Sequence, residues 1–168
     1  MVITMTLLNQ LCMKMIEYYE SDSKRIHHFL SVHAIAKLIA EEEKLDKHTI
    51  FIIEAASYVH DIGIKAALAK YNTSSAEYQE IEGEPIARDL LMSLGFELSD
   101  VDRICYLVAH HHHYSNIDGI DYQILVEADF LVNFTQDNMS RDNILNIYDK
   151  VFKTETGQYI CEEMYKIK

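Results

Sequence analysis

A histidine beside an aspartate, His60-Asp61, ends an apolar run in which Ile50, Ile53, Ala55 and Ala56 fall on a helical stripe. An ionised carboxylate in such surroundings is costly unless it is paired or coordinates a metal. Successive helical residues point about 100° apart, so His60 and Asp61 do not share a face, yet both can reach one ion where the helix ends. Gly63 is well placed to end it. Asp61 could also bridge two ions, one oxygen on each. Three further stretches carry polar groups of the same kind. His28 lies on the stripe of Val32 and Ile35, four histidines run from His110 to His113, and Asp129 sits among Ile124, Leu125, Ala128, Leu131 and Val132. Only one or two of the four consecutive histidines can face a single site, and His110 is the first choice, with His111 its neighbour. Side chains projecting inward from facing helices are how helical bundles build metal centres. Imidazole and carboxylate donors suit Fe, Mn, Co, Ni or Zn, and without thiolates the set does not resemble a structural zinc site.

The elements that must position these groups are helices. The chain has 168 residues with one proline and five glycines, little turn material for an all-β fold. That length suits a single domain, 1–168, with one core. Leu7, Leu8, Leu11 and Met15 predict an amphipathic helix over 4–20, followed by a cap at Ser21-Asp22-Ser23. A second runs from Lys24 to Glu43, leaving His27 and His33 off the buried stripe. A third runs from Asp46 to Asp61, capped by Asp46 or Thr49, with Glu54 outward. Ala66 to Tyr71 is a short helical stretch. Glu77 to Glu84 reads as an acidic loop, and Pro85 as the first turn of a helix that closes at Gly95. Ser99 caps a helix leading to the four histidines, and Tyr122 opens the one that carries Asp129. One or two helices follow over 139–166. The expectation is an all-α bundle of six to eight helices, with a core at 24–133.

Composition narrows the function. The net charge of −12 disfavours long nucleic acids, which need a basic footprint, but not a small phosphorylated substrate whose charge is met by bound cations. Cys12, Cys105 and Cys161 are far apart and odd in number, which reads as core thiols in a reducing cytoplasm. Met1 to Gln10 lacks a basic signal-peptide start and no apolar run reaches membrane-spanning length.

Arg25-x-x-His28, then His60-Asp61 with Gly63, then His110-His111, then Ala128-Asp129 resembles, in order, spacing and helical context, the HD-domain metal-dependent phosphohydrolases. The resemblance covers about Lys24 to Asn133. It implies an all-α HD fold with His28, His60, Asp61 and Asp129 as core metal ligands. It is nearest to the small bacterial HD proteins that carry two iron ions and hydrolyse dinucleoside tetraphosphates. Those have a further histidine at a position that falls here on Glu82, with Glu80 and Glu84 as competing carboxylates. Ile64 also separates Gly63 from Lys65, where the family joins glycine to lysine.

The expected metal set is therefore His28, His60, Asp61, Glu82, His110 and Asp129, holding one or two transition ions, iron first. Arg25 and Lys65 would offset phosphate charge, Asp61 would orient the attacking water, and His111 or His112 would line the pocket or act as general acid. The function implied is hydrolysis of a nucleotide or dinucleoside polyphosphate by a cytoplasmic protein, with a homodimer left open. A non-catalytic nucleotide- or metal-binding module and an oxidative di-iron enzyme are the alternatives.

Overall fold

The computed structural model describes residues 5–168. The expected helix start at Thr4, and Met1 to Ile3 of the stretch read against a signal peptide, lie outside them. The described residues form nine helices and no strand: α1 Leu7–Tyr19, α2 Ser23–Glu42, α3 Lys47–Val59, α4 Ile64–Tyr71, α5 Ala76–Leu94, α6 Leu98–His110, α7 Ile120–Gln136, α8 Arg141–Val151 and α9 Glu155–Tyr165. The all-α class is as expected. The count exceeds six to eight because the short stretch after Gly63 and both tail segments are separate helices.

Local chemistry sets most of the starts. Side-chain oxygens of Thr6, Asp22, Asp46, Ser140 and Thr154 each accept a backbone N–H from the first turn of the helix they precede. Asp46 takes the N–H groups of both His48 and Thr49, at 3.0 and 3.1 Å. At the centre α2 packs against α3 and α7, and α3 also meets α1 and α6. Phe29, Val32, Ala36, Ile39, Ile53, Ala56, Ile104, Leu107, Leu125 and Leu131 are sealed in one core. Cys105 and Cys161 lie within it, and none of the three cysteines is bonded to another. No helix among the described residues is long and apolar enough to cross a membrane.

Three expectations change. Glu77 to Glu84 is not a loop: α5 starts at Ala76 and runs through Pro85. A proline inside a helix costs about 3 kcal/mol, and packing of α5 along α6 and α4 outweighs it. Gly63 does not itself end α3, which closes at Val59: its φ is −72° and it precedes α4. Its value is the missing side chain: a Cβ there would lie 2.0 Å from the Gln79 carbonyl oxygen and 2.7 Å from the Gly83 nitrogen. Backbone thus meets backbone where α5 crosses the turn after His60-Asp61. Glu54, expected outward, is buried under His33 and Lys37, whose nitrogens lie 2.9 and 3.0 Å from its Oε1.

Candidate metal centre

His28 comes from the first turns of α2, His60 and Asp61 from the turn that ends α3, Asp129 from the middle of α7, and His111 from the residue after α6. Four helices far apart in sequence aim these side chains at one point. His28 Nε2 is 3.1 Å from His60 Nε2, 3.3 Å from Asp61 Oδ2 and 3.1 Å from Asp129 Oδ1. His60 Nε2 is 3.6 Å from Asp61 Oδ2 and 3.5 Å from Asp129 Oδ1. Both imidazoles are almost sealed, whereas the two carboxylates retain some contact with solvent.

The other ring nitrogens fix the protonation pattern. His60 Nδ1 donates to the Ser57 carbonyl at 2.9 Å and His111 Nδ1 to the Val108 carbonyl at 2.9 Å. A carbonyl can only accept, so each Nδ1 carries the hydrogen and each Nε2 turns its lone pair into the cluster. His28 Nδ1 faces Gln136 Oε1 at 3.0 Å in the same way. Outer hydrogen bonds of this type orient the imidazoles of metal sites. Asp129 Oδ1 and His111 Nε2 are buried and receive no hydrogen bond.

Two carboxylates and two neutral imidazoles carry a charge of −2, which asks for two protons or a divalent cation. Without a metal the electrostatics answer with protons. Burial opposes charge on His28 and His60, but the Asp129 and Asp61 carboxylates more than offset it and raise both imidazoles above their ordinary value. Burial likewise opposes charge on the two aspartates, and the facing histidines nonetheless hold both well below the usual carboxylate range.

A second group adjoins the first through Asp61. Its Oδ1 is 3.6 Å from His111 Nε2, and Asp61, His111 and His112 offer a further set of converging donor atoms. Glu80 closes this side, with its oxygens 3.4 Å from His112 Nδ1 and 3.1 Å from His113 Nε2. Burial and the adjacent His111 push the His112 imidazole down to about 4, keeping it neutral and available as a donor. Arg25 borders the cluster, half-exposed, with Nη1 3.7 Å from Asp61 Oδ2.

The structure thus brings His28, His60, Asp61, Asp129 and His111 together, with Arg25 beside them. Three expected residues go elsewhere. Glu82 is held by the Lys70 ammonium and, at 2.9 Å, by the Tyr71 hydroxyl, because the helical path of α5 turns it away from Glu80. His110 donates from Nδ1 to the Tyr106 carbonyl at 2.7 Å and stacks on the Tyr106 ring, and it is His111 that faces the cluster instead. Lys65 reaches the Tyr18 carbonyl at 2.9 Å and lies over the Tyr18 ring instead of turning toward the cluster.

Sequence reasoning also missed the tyrosine pair at the end of α1. The Tyr19 hydroxyl donates to the Asp61 carbonyl at 2.7 Å and the Tyr18 hydroxyl to the Ile62 carbonyl at 3.0 Å, pinning the turn that presents the ligands. Adjacent tyrosines on an amphipathic helix carry no signal of that role.

Comparison with known proteins agrees with this geometry. The model of the HD domain family matches residues 25–153. Among solved structures, a predicted HD superfamily hydrolase from an uncultured Thermotogales bacterium superposes with a TM-score of 0.65 at 24% identity, covering 95% of this chain and 83% of the other. Bacillus subtilis YpgQ gives 0.65 at 17% identity, covering 96% and 89%. No protein of curated function matches significantly. With the family pattern spanning most of the chain and its histidines and aspartates converging on one point, the chain belongs to the HD domain family.

Proposed function

We propose that the chain is a metal-dependent phosphohydrolase that cleaves a phosphoester or phosphoanhydride bond of a nucleotide or dinucleoside polyphosphate. The observation that carries this reading is the cluster of His28, His60, Asp61 and Asp129, with inward Nε2 lone pairs 3.1 Å apart and an orphaned buried carboxylate oxygen. Such a donor set fits a divalent transition ion: it matches the charge, supplies nitrogen and oxygen donors, and has its outer hydrogen bonds in place. Iron is the first choice, with Mn, Co, Ni and Zn also suited to these donors. An ion held there supplies Lewis acidity, polarising a phosphoryl oxygen and making water acidic near neutral pH.

The chain's own residues do the rest. Arg25 presents a guanidinium fork at the open side of the cluster and offsets phosphate charge. Asp61 Oδ1, turned toward His111, orients the attacking water. His111, its Nδ1–H held by the Val108 carbonyl, has a free Nε2 lone pair that takes a proton from the attacking water and passes it to the leaving oxygen. Sealing of His28 and His60 keeps bulk water from the ligand side, so the substrate approaches past the carboxylates and Arg25. The description of the Thermotogales protein as a hydrolase supports the same class of reaction.

The test is metal content per chain after purification without chelator, for the native protein and for His60→Ala, with phosphate release from a panel of nucleotides and dinucleoside polyphosphates. One or two transition ions in the native protein, lost in His60→Ala together with turnover, is the expected result. No metal, or equal metal in both proteins, overturns the reading, and retained metal with no turnover across the panel identifies a binding module instead.

A further inference from the structure

One face of α7 carries three polar residues spaced seven apart: Tyr122, Asp129 and Gln136. Seven residues bring a helix round almost two full turns, so each lies within about 20° of the next and about 10 Å farther along the axis. Asp129, the middle one, is a member of the cluster. The other two reach the elements that carry facing imidazoles.

Gln136 holds α2. Its Oε1 lies 3.0 Å from His28 Nδ1, and His28 Nε2 lies 3.1 Å from Asp129 Oδ1. The imidazole is thus held at both nitrogens by side chains of a single helix. Helical side chains tilt toward the N-terminus of their helix, which turns the long Gln136 amide back toward His28. Gln136 also borders a cavity of about 240 Å³ with Ser31, Thr135 and Met164, so water is at hand for the His28 ring hydrogen once the amide is removed.

Tyr122 holds the histidine turn. Its hydroxyl lies against the His110 carbonyl and 2.7 Å from the His113 carbonyl, so it spans the backbone on either side of His111 and His112. A phenol has one hydrogen and donates to one carbonyl at a time. The His110 carbonyl also takes the His113 N–H at 2.7 Å, which closes the turn. The Tyr122 ring is sealed in the core, leaving the hydroxyl little freedom to move. Tyr18 and Tyr19 hold the turn after α3 by the same chemistry, so both turns that present donors are fixed through their carbonyls.

Resting on the metal-dependent phosphohydrolase reading, we infer that Tyr122 and Gln136 are positioning residues, and that α7 is the spacer that sets His28 and His111 in place relative to Asp129. Their duties are separate. Gln136 keeps the His28 hydrogen on Nδ1 and aims the Nε2 lone pair at the cluster, which governs metal affinity. Tyr122 fixes the turn that bears His111 and His112, which governs proton transfer and not the hold on the first ion.

The experiment uses zinc-loaded protein with isotope-labelled histidine nitrogens. Zinc affinity is titrated against a chromophoric chelator, ring nitrogens and their hydrogens are followed by NMR at saturating zinc, and phosphate release is measured on the nucleotide panel. Gln136→Leu should weaken binding of the first zinc ion between about tenfold and a hundredfold and speed exchange of the His28 ring hydrogen, with the His111 signals in place. Gln136→Glu, which keeps an acceptor at the same reach, should restore both. Tyr122→Phe removes the hydroxyl and keeps the ring. It should leave the first zinc affinity and the His28 signals unchanged, shift the His111 and His112 ring signals, and lower kcat about tenfold. Gln136 is half-buried at the end of α7, so its two variants test the assignment even where Tyr122→Phe does not fold.

Equal effects of Gln136→Leu and Tyr122→Phe on both sets of ring signals overturn the assignment. So does a lower melting temperature of the metal-free variants with native affinity and native ring signals, which is what packing alone would give. The crossed pattern of affinity and ring signals in a protein that releases no phosphate keeps the positioning roles and overturns the hydrolase reading. Native phosphate release, with ring signals and affinity unchanged in both variants, keeps the hydrolase reading and overturns the positioning roles.

Discussion

Charge neutrality at four side chains governs the site. Asp61 and Asp129 stay ionised beside His28 and His60, and a removed carboxylate changes the demand for a cation directly. Asp129→Asn keeps shape and volume but removes one negative charge and replaces one carboxylate oxygen with an NH2 group that cannot coordinate, so metal affinity should fall at least about tenfold. Glu82→Gln should leave metal content unchanged, because Glu82 serves Lys70 and Tyr71. Elemental analysis of the two purified variants checks both outcomes; metal loss in Glu82→Gln would return that residue to the ligand set. The sequence showed most of the cluster because His28, Asp129 and the His60-Asp61 pair each interrupt an apolar helical stripe. It could not separate His110 from His111. One residue is about 100° of helical rotation, and the choice depends on α6 ending at His110, so that His111 begins the turn.

At the scale of elements, the turn after α3 is held from two sides. Tyr18 and Tyr19 of α1 bind its carbonyls, and α5 crosses it at Gly63 with no room for a side chain. Gly63→Ala would force the Gln79 carbonyl away and shift α5, at a cost of about 3 kcal/mol or more, with loss of metal. Gly95 provides the contrast. It is the residue that needs glycine for its backbone, with φ +86° at the end of α5, and a Cβ there meets nothing within 4 Å. Gly95→Ala should cost about 1 kcal/mol from left-handed strain alone and leave metal content intact. Thermal unfolding with elemental analysis separates the two; equal stability of the two variants would refute the close-approach role. This crossing also explains why the first half of α5, before Pro85, was illegible, whereas the half that closes at Gly95 was read as helix. Acidic residues followed by a proline look like a loop, and only contact with the glycine turn and α6 makes them helix. For that reason Glu80, a competing carboxylate in the sequence, faces His112 and His113 while Glu82 turns to Lys70 and Tyr71.

Across the whole molecule, a buried network outside the cluster sets an acid limit. His33, stacked on Tyr58 with centroids 4.2 Å apart, is pushed below its ordinary value by burial, with Glu54 opposing and Lys37 assisting. A histidine depressed in the fold stabilises above its unfolded value and loses that contribution as pH falls toward the folded one. In chelator, lowering the pH from 7 to 5.5 removes the His33 contribution while the raised His28 and His60 add theirs, so His33→Asn should make the change in melting temperature over that interval more favourable than in the native protein; an unchanged difference would remove His33 from the account. A different consequence follows from where sulfur lies. Cys105 on α6 and Cys161 on α9 are fully enclosed, and burial lifts their thiols to about 11 and about 12. The thiolate is the reactive form, so a thiol reagent reaches either atom only when its helix lifts from the core. The chain thus carries two clocks, one on the helix that leads into the histidines and one on the tail, and the order in which they start reveals which part of the molecule breathes first.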